Sequence, residues 1–145
     1  MKVLSTVGLL LIHNTHLLLV RKRHTRTFML PGGKMDVGEQ EIPCLEREIQ
    51  EELQCQLQRA SLHALGEFTD VAAHEPNTLV TMKLYKGQIV GTARASREIE
   101  EIHWFDLQKP HEILLAPLVQ NQILPVALHF LTSLQHPLNY NQGTS

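Results

Sequence analysis

Apolar residues run almost unbroken through the first part of the chain. Val3–Ile12 (VLSTVGLLLI) and His16–Arg23 (HLLLVRKR) are strand-length runs separated by the polar turn His13-Asn14-Thr15, a pattern that predicts a β-hairpin. The stretch His24–Glu39 is polar and punctuated by Pro31, Gly32, Gly33 and Gly38, and reads as a loop. From Gln40 to Gln54 the period changes: Ile42, Leu45, Ile49 and Leu53 recur at three and four, the stripe of an amphipathic helix of about four turns. Pro43 is tolerated there because it falls in the first turn, where its missing N–H costs nothing. Leu62–Phe68 and Thr78–Val90 read as two further strands around the loop Thr69–Asn77, and Ile99–Leu107 as another. Asn121–Leu134 is a closing helix, with Asn121 suited to N-cap it and Pro125 near its start. Mixed strands with two well-separated helices predict an α/β fold, one helix on each side of a mixed β-sheet.

At 145 residues the chain is expected to be one domain over 1–136, with a frayed tail at 137–145. Its hydrophobic share of 43% and charged share of 19% are globular, and exclude a disordered chain. The net charge of −2 gives no basic field for duplex nucleic acid or an anionic membrane. The longest apolar stretch, Val7–Val20, is broken by its polar turn and cannot span a bilayer. The N-terminus MKVLST lacks a signal-peptide pattern, so a cytoplasmic protein is expected. Cys44 and Cys55 fall on one expected helix about 16 Å apart, beyond the roughly 7 Å a disulfide allows, and read as small buried hydrophobes.

The polar face of the helix at 40–54 changes the picture. Glu48, Glu51 and Glu52 are spaced by three and four, so their carboxylates project together. Like charges so placed repel by roughly 0.2–0.5 kcal/mol per pair. The arrangement becomes favourable when a hard divalent cation sits among the oxygens, and magnesium takes one or two carboxylates together with substrate phosphates. Upstream, Gly32 and Gly33 let backbone approach an anion closely, and Lys34 adds a mobile positive charge.

The same stretch resembles the Nudix box, G-x5-E-x7-R-E-U-x-E-E-x-G-U with U a bulky aliphatic. Gly33, Glu39, Arg47, Glu48, Ile49, Glu51 and Glu52 match in register, while Gln54 and Cys55 replace the last glycine and aliphatic. Six fixed residue types match by chance on the order of once per million chains of this length. The departure at Gln54 touches how the helix terminates and leaves the acidic set intact. The flanking strands, the LPGGK approach and the late strand EIEEIHWFDL extend the likeness over most of the chain.

The resemblance implies a Nudix-type α/β/α sandwich and Mg2+-dependent hydrolysis of a nucleoside diphosphate linked to another group, with Mn2+ able to substitute. Glu48, Glu51 and Glu52 match the positions that hold metal and activate water, and the backbone of Gly33 or Gly32 completes the site. Glu39 and Arg47 match a pair whose salt bridge fixes loop against helix. The partner implied is a small nucleotide; a homodimer stays open.

For the substrate, the ADP-ribose type's proline some fifteen residues past the box and the dinucleoside-polyphosphate type's tyrosine are both missing: FTDVAA stands there. What remains resembles the small MutT-like members that convert (d)NTPs, oxidised ones included, to NMP and pyrophosphate. An ADP-ribose or nucleotide-sugar pyrophosphatase is the alternative, and a catalytically silent nucleotide-binding module is the alternative of another class. Arg21 resembles a phosphate-contacting arginine, or is one of a solvated basic cluster. Phe28 either stacks on a base or packs in the core. Asn121 either reads the base or caps its helix. One of Glu98, Glu100 and Glu101 is a candidate extra ligand, against a reading as ordinary strand-edge charges.

Overall fold

The computed structural model describes residues 1–109 and 111–135, so the expected tail lies outside the described residues. The elements in chain order begin with β1 (Lys2–Leu10), β2 (Ile12–His13), β3 (His16–Lys22), β4 (Thr27–Met29), β5 (Gly32–Lys34) and α1 (Glu41–Leu53). They continue with β6 (Gln56–Val71), β7 (Thr78–Val90), β8 (Ile99–Asp106), β9 (Leu114–Leu115), a π turn (Val119–Ile123) and α2 (Leu124–Gln135).

Two mixed sheets form. In the first, ordered β5-β1-β7-β6, β1 runs antiparallel to β5 and parallel to β7. In the second, β3 pairs with β8 along its whole length and with β2 and β4 at its two ends, and β9 lies parallel to β4. The unbroken apolar runs are explained by burial on both faces, the usual reason a strand loses its polar alternation. Period-2 alternation sends Val7, Leu9, Leu18 and Val20 into one core with Cys44, Leu45, Ile49 and Leu53 of α1. Leu10, Leu17 and Leu19 go to the other core, with Val119, Ile123, Ala127 and Leu131.

Four expectations are corrected. The hairpin at Asn14-Thr15 exists, but only Ile12–His13 pairs with β3; the chain changes sheets at Leu11, and β1 belongs to the first sheet. The stretch read as a loop at 24–39 contains β4 and β5, too short to show a period and hidden by the glycines. Asn121 is not an N-cap. It lies inside the π turn, where the Leu124 N–H returns to the Val119 carbonyl. Pro125 explains the irregularity, since it has no N–H to offer the Asn121 carbonyl and its ring crowds that oxygen. Cys55 falls two residues beyond α1 rather than within it; both cysteines are buried and unpaired. No helix among the described residues is long and apolar enough to cross a membrane.

Candidate active site

The short strand β5 is pressed between β1 and α1 so tightly that only glycine fits at its first two positions. A Cβ on Gly33 would lie 2.5 Å from the Glu48 carboxyl carbon, and one on Gly32 would lie 2.1 Å from the Val7 carbonyl oxygen. Gly32 also holds φ at +141°, a conformation other residues rarely adopt. The Gly32 N–H donates to Glu52 Oε1 at 3.0 Å, so the loop backbone faces the acidic side of the helix.

Glu52 is 2% exposed and Glu48 9%, although both are carboxylates. Burial pushes the Glu52 carboxyl up to about 8, with the Gly32 N–H opposing. Burial also raises Glu48, against the pull of the Arg47 guanidinium. Such groups are costly unless something positive joins them. Glu98 completes the cluster: Glu48, Glu52 and Glu98 each bring an oxygen within 4.8 Å of the others. The segment carrying Glu98 is moored to the end of α1 by Arg94 N–H to the Leu53 carbonyl and Ser96 N–H to the Glu52 carbonyl, each at 3.0 Å. An all-oxygen set with buried carboxylates fits a hard divalent cation.

Glu51 is placed differently from its two neighbours. It is half-exposed, with Oε2 3.5 Å from Arg47 Nη1. Arg47 is the hub of the face. It binds Glu39 in a fork, Nε to Oε2 at 2.8 Å and Nη2 to Oε1 at 3.0 Å, and donates through Nη1 to Glu48 Oε1 at 2.9 Å. Nη2 also reaches the Lys34 carbonyl at 3.4 Å, which ties β5 to the helix. The Arg47 hydrogen bonds hold Glu39 down at about 2, and burial pushes the neighbouring Cys44 thiol up to about 12.

Beside the glycines opens a cleft of about 190 Å3 between the two sheets, walled by Leu4, Met29, Val80, Met82, Ala72 and Val119, with Lys22 and Lys34 at the glycine end. Gly32, Gly33 and Lys34 line it; Arg21, Phe28 and Asn121 do not. Arg21 is engaged elsewhere, donating to Glu101 Oε1 at 3.1 Å and to the Thr25 carbonyl at 2.8 Å. Phe28 is 6% exposed and packs against His103 in the α2-side core, so its core reading holds. Asn121 donates to Asp70 Oδ2 at 3.0 Å. Of the three late glutamates, Glu98 joins the acidic cluster, while Glu100 pairs with Arg23 and Glu101 with Arg21. The strand-edge spacing alone does not separate these three; only the fold does.

The model of the NUDIX domain matches residues 2–127. Among solved structures, the fold is similar to a MutT NUDIX hydrolase from Burkholderia pseudomallei, with a TM-score of 0.69 and 22% identity over 89% of this chain and 98% of that one. It is similar to a MutT protein from Methanosarcina mazei Go1 at 0.69 and 23%, covering 88% and 94%. A UDP-X diphosphatase matches at 0.70 and 18%, over 92% of this chain and 64% of the other. No curated protein sequence matches the chain. The family model spans nearly the whole chain, and the chain belongs to the Nudix family of hydrolases.

Proposed function

We propose that this Nudix hydrolase cleaves (d)NTPs, oxidised ones included, to NMP and pyrophosphate with Mg2+, which Mn2+ can replace. The observation that carries the hydrolytic reading is the convergence of buried Glu48 and Glu52 with Glu98 beside the Gly32–Gly33 backbone, which itself lines a cleft. Residues 1–136 form the catalytic domain in this reading, acting in the cytoplasm on a small nucleotide. The triphosphate preference is supported by the missing ADP-ribose and dinucleotide signals at Phe68–Ala73.

Glu48, Glu52 and Glu98 would hold the cation, with the Gly33 backbone beside them and Glu51 at the outer edge. Bound there, a divalent ion neutralises phosphate charge and lowers the pKa of the water that attacks phosphorus. Arg47 keeps Glu48 oriented and anchors Glu39 and the Lys34 carbonyl, so loop and helix move as one body. Lys22 and Lys34 supply positive charge at the phosphate end of the cleft. Water displaces pyrophosphate and leaves the nucleoside monophosphate.

A nucleotide-sugar pyrophosphatase is the second reading, favoured by the likeness to a UDP-X diphosphatase. A silent binding module is disfavoured because the acids and the arginine of the box are all in place. The test is release of phosphate and pyrophosphate across a panel of triphosphates, ADP-ribose and nucleotide sugars with Mg2+ or Mn2+. Triphosphates should run fastest with pyrophosphate as product; a nucleotide sugar outrunning them all overturns the substrate assignment.

A further inference from the structure

The far wall of the cleft is built from two segments distant in sequence: the end of β6 with the loop after it (71–75) and the start of the π turn (Leu118, Val119). Directly behind this junction, Asp70 stands one residue before the first segment and Asn121 two residues after the second. The Asp70 carboxylate bridges the seam through one of its oxygens. Its Oδ1 accepts the Val71 N–H at 2.7 Å, and its Oδ2 accepts Asn121 Nδ2 at 3.0 Å and Gln122 Nε2 at 3.4 Å. The Asn121 hydrogen bond, first among these, keeps the carboxyl below its ordinary range. A π turn is a wider and less regular helical turn than its neighbours, so an outside tether matters to where its backbone lies. The inner side of this turn is set by Val119 and Ile123 in the core; the outer side is held by Asp70.

We infer that Asp70 and Asn121 are a positioning pair that sets the width of the nucleoside end of the cleft. This rests on reading the cleft as the nucleotide site. Alongside His74 and Glu75 of the loop after β6, the lining includes the apolar Leu4, Met29, Val80, Met82 and Val119. Two of them are thioethers, which adapt to flat rings of differing outline. Thr6, the hydroxyl in the wall, is committed to the Thr81 carbonyl at 3.0 Å.

The test exchanges donor and acceptor. Asn121→Asp sets two carboxylates face to face and breaks the tether; adding Asp70→Asn restores one donor and one acceptor across the seam. Binding of a panel of nucleoside monophosphates to the full chain is measured by calorimetry, beside steady-state kinetics with Mg2+ and thermal melts. Asn121→Asp should weaken every monophosphate by about tenfold with the rank of bases kept, the kinetic loss falling on KM and leaving kcat within about twofold. The double variant should recover both affinity and KM. A changed base ranking that the double variant does not repair would make Asn121 a base reader and overturn the inference. A lowered melting temperature with untouched affinity would overturn it too, leaving a merely structural tether. Monophosphate binding in the wild type without triphosphate hydrolysis would refute the proposed reaction while the pair still passes its test; no binding at all refutes the pair's role.

Discussion

The two helices of this molecule face each other across the sheets and share almost nothing chemically. α1 carries Glu41, Glu46, Arg47, Glu48, Glu51 and Glu52 within thirteen residues, and two of these acids are buried. α2, LPVALHFLTSLQ, carries no Asp, Glu, Lys or Arg. On α1 each charge is placed by another: Arg47 by Glu39, Glu48 by Arg47, Glu52 by the Gly32 N–H. On the α2 side packing takes over, with Ile123, Ala127 and Leu131 against Leu10, Leu17 and Leu19. The contrast teaches a division of labour. In the proposed reading, one helix concentrates charge for phosphate chemistry, and the other supports the wall assigned to the nucleoside.

The strongest way to break that division is to neutralise one acid. Glu52→Gln or Glu48→Gln should lower Mg2+-dependent turnover at least about a hundredfold, while circular dichroism shows the same fold. Apo stability should hold or rise, since the cost of protonating or ionising a carboxyl on burial is gone; a glutamine at 52 still accepts the Gly32 N–H. Full activity of either variant in excess Mg2+ sinks the metal-site reading. The mirror experiment is Leu131→Ala on α2, which should cost about 2–5 kcal/mol of stability and leave kcat per folded molecule within a few-fold. If kcat collapses as well, the two helices are not separable.

Next comes the hub. Arg47→Ala should lower both the melting temperature and activity, because it frees β5 from the helix and leaves Glu39 and Glu48 without their cation. Arg47→Lys should rescue little, since an ammonium cannot reproduce the fork to Glu39. Loss of activity with an unmoved melting temperature would instead make Arg47 a substrate contact.

Proton linkage sharpens the same comparison with a smaller signal. Glu52 has a folded pKa near 8 against an ordinary 4.5, caused first by burial. The metal-free folded state therefore keeps a proton the unfolded chain has lost. Its stabilising effect is complete below about pH 4.5 and is lost as pH rises through 8. Glu39, held near 2 by Arg47, works in the opposite sense: its contribution is present above 4.5 and lost as pH falls through 2. Chemical denaturation across pH should show the alkaline decline vanish in Glu52→Gln and the acid limb persist. At pH 7, adding Mg2+ should release about one proton, read with an indicator dye. No release, or a decline unchanged in the variant, removes Glu52 from the metal set.

How legible this was in the sequence follows the same divide. α1 declared itself by its apolar stripe and its acids, because helix period and charge spacing are local. Membership of the Nudix family was legible in the box, from Gly33 to Glu52. Glu98 was named among three neighbours and could not be singled out, since its choice depends on how the loop at 94–98 is moored to the end of α1. β4 and β5 were missed, being three residues each and held by pairing that only the tertiary fold supplies. The α2 side was least legible: an asparagine before an apolar helix reads as a cap, and nothing local reveals that Pro125 widens the turn or that Asp70, fifty-one residues earlier, takes the amide.

The smallest effect concerns the position where the box expects glycine. Gln54 closes α1 in the left-handed conformation, φ 53° and ψ 36°, with its N–H returned to the Gln50 carbonyl at 3.1 Å. That geometry is what a glycine would adopt without steric cost, while an L-residue there is disfavoured by roughly 1–2 kcal/mol. The glutamine recovers part of this through Nε2 to Ser96 Oγ at 3.2 Å, an exposed bond on the segment that carries Glu98. Gln54→Gly should therefore stabilise the protein by about 0.5–1 kcal/mol, read as a higher urea midpoint at unchanged m-value. The same change removes one tie on the 94–98 segment, so a modest rise in the Mg2+ concentration needed for half-maximal activity should accompany it. Stability and metal affinity thus move in opposite directions at one residue on the charged helix. A variant that gains neither stability nor a weaker metal response would show that Gln54 terminates the helix without strain and that Glu98 is held by the backbone bonds alone.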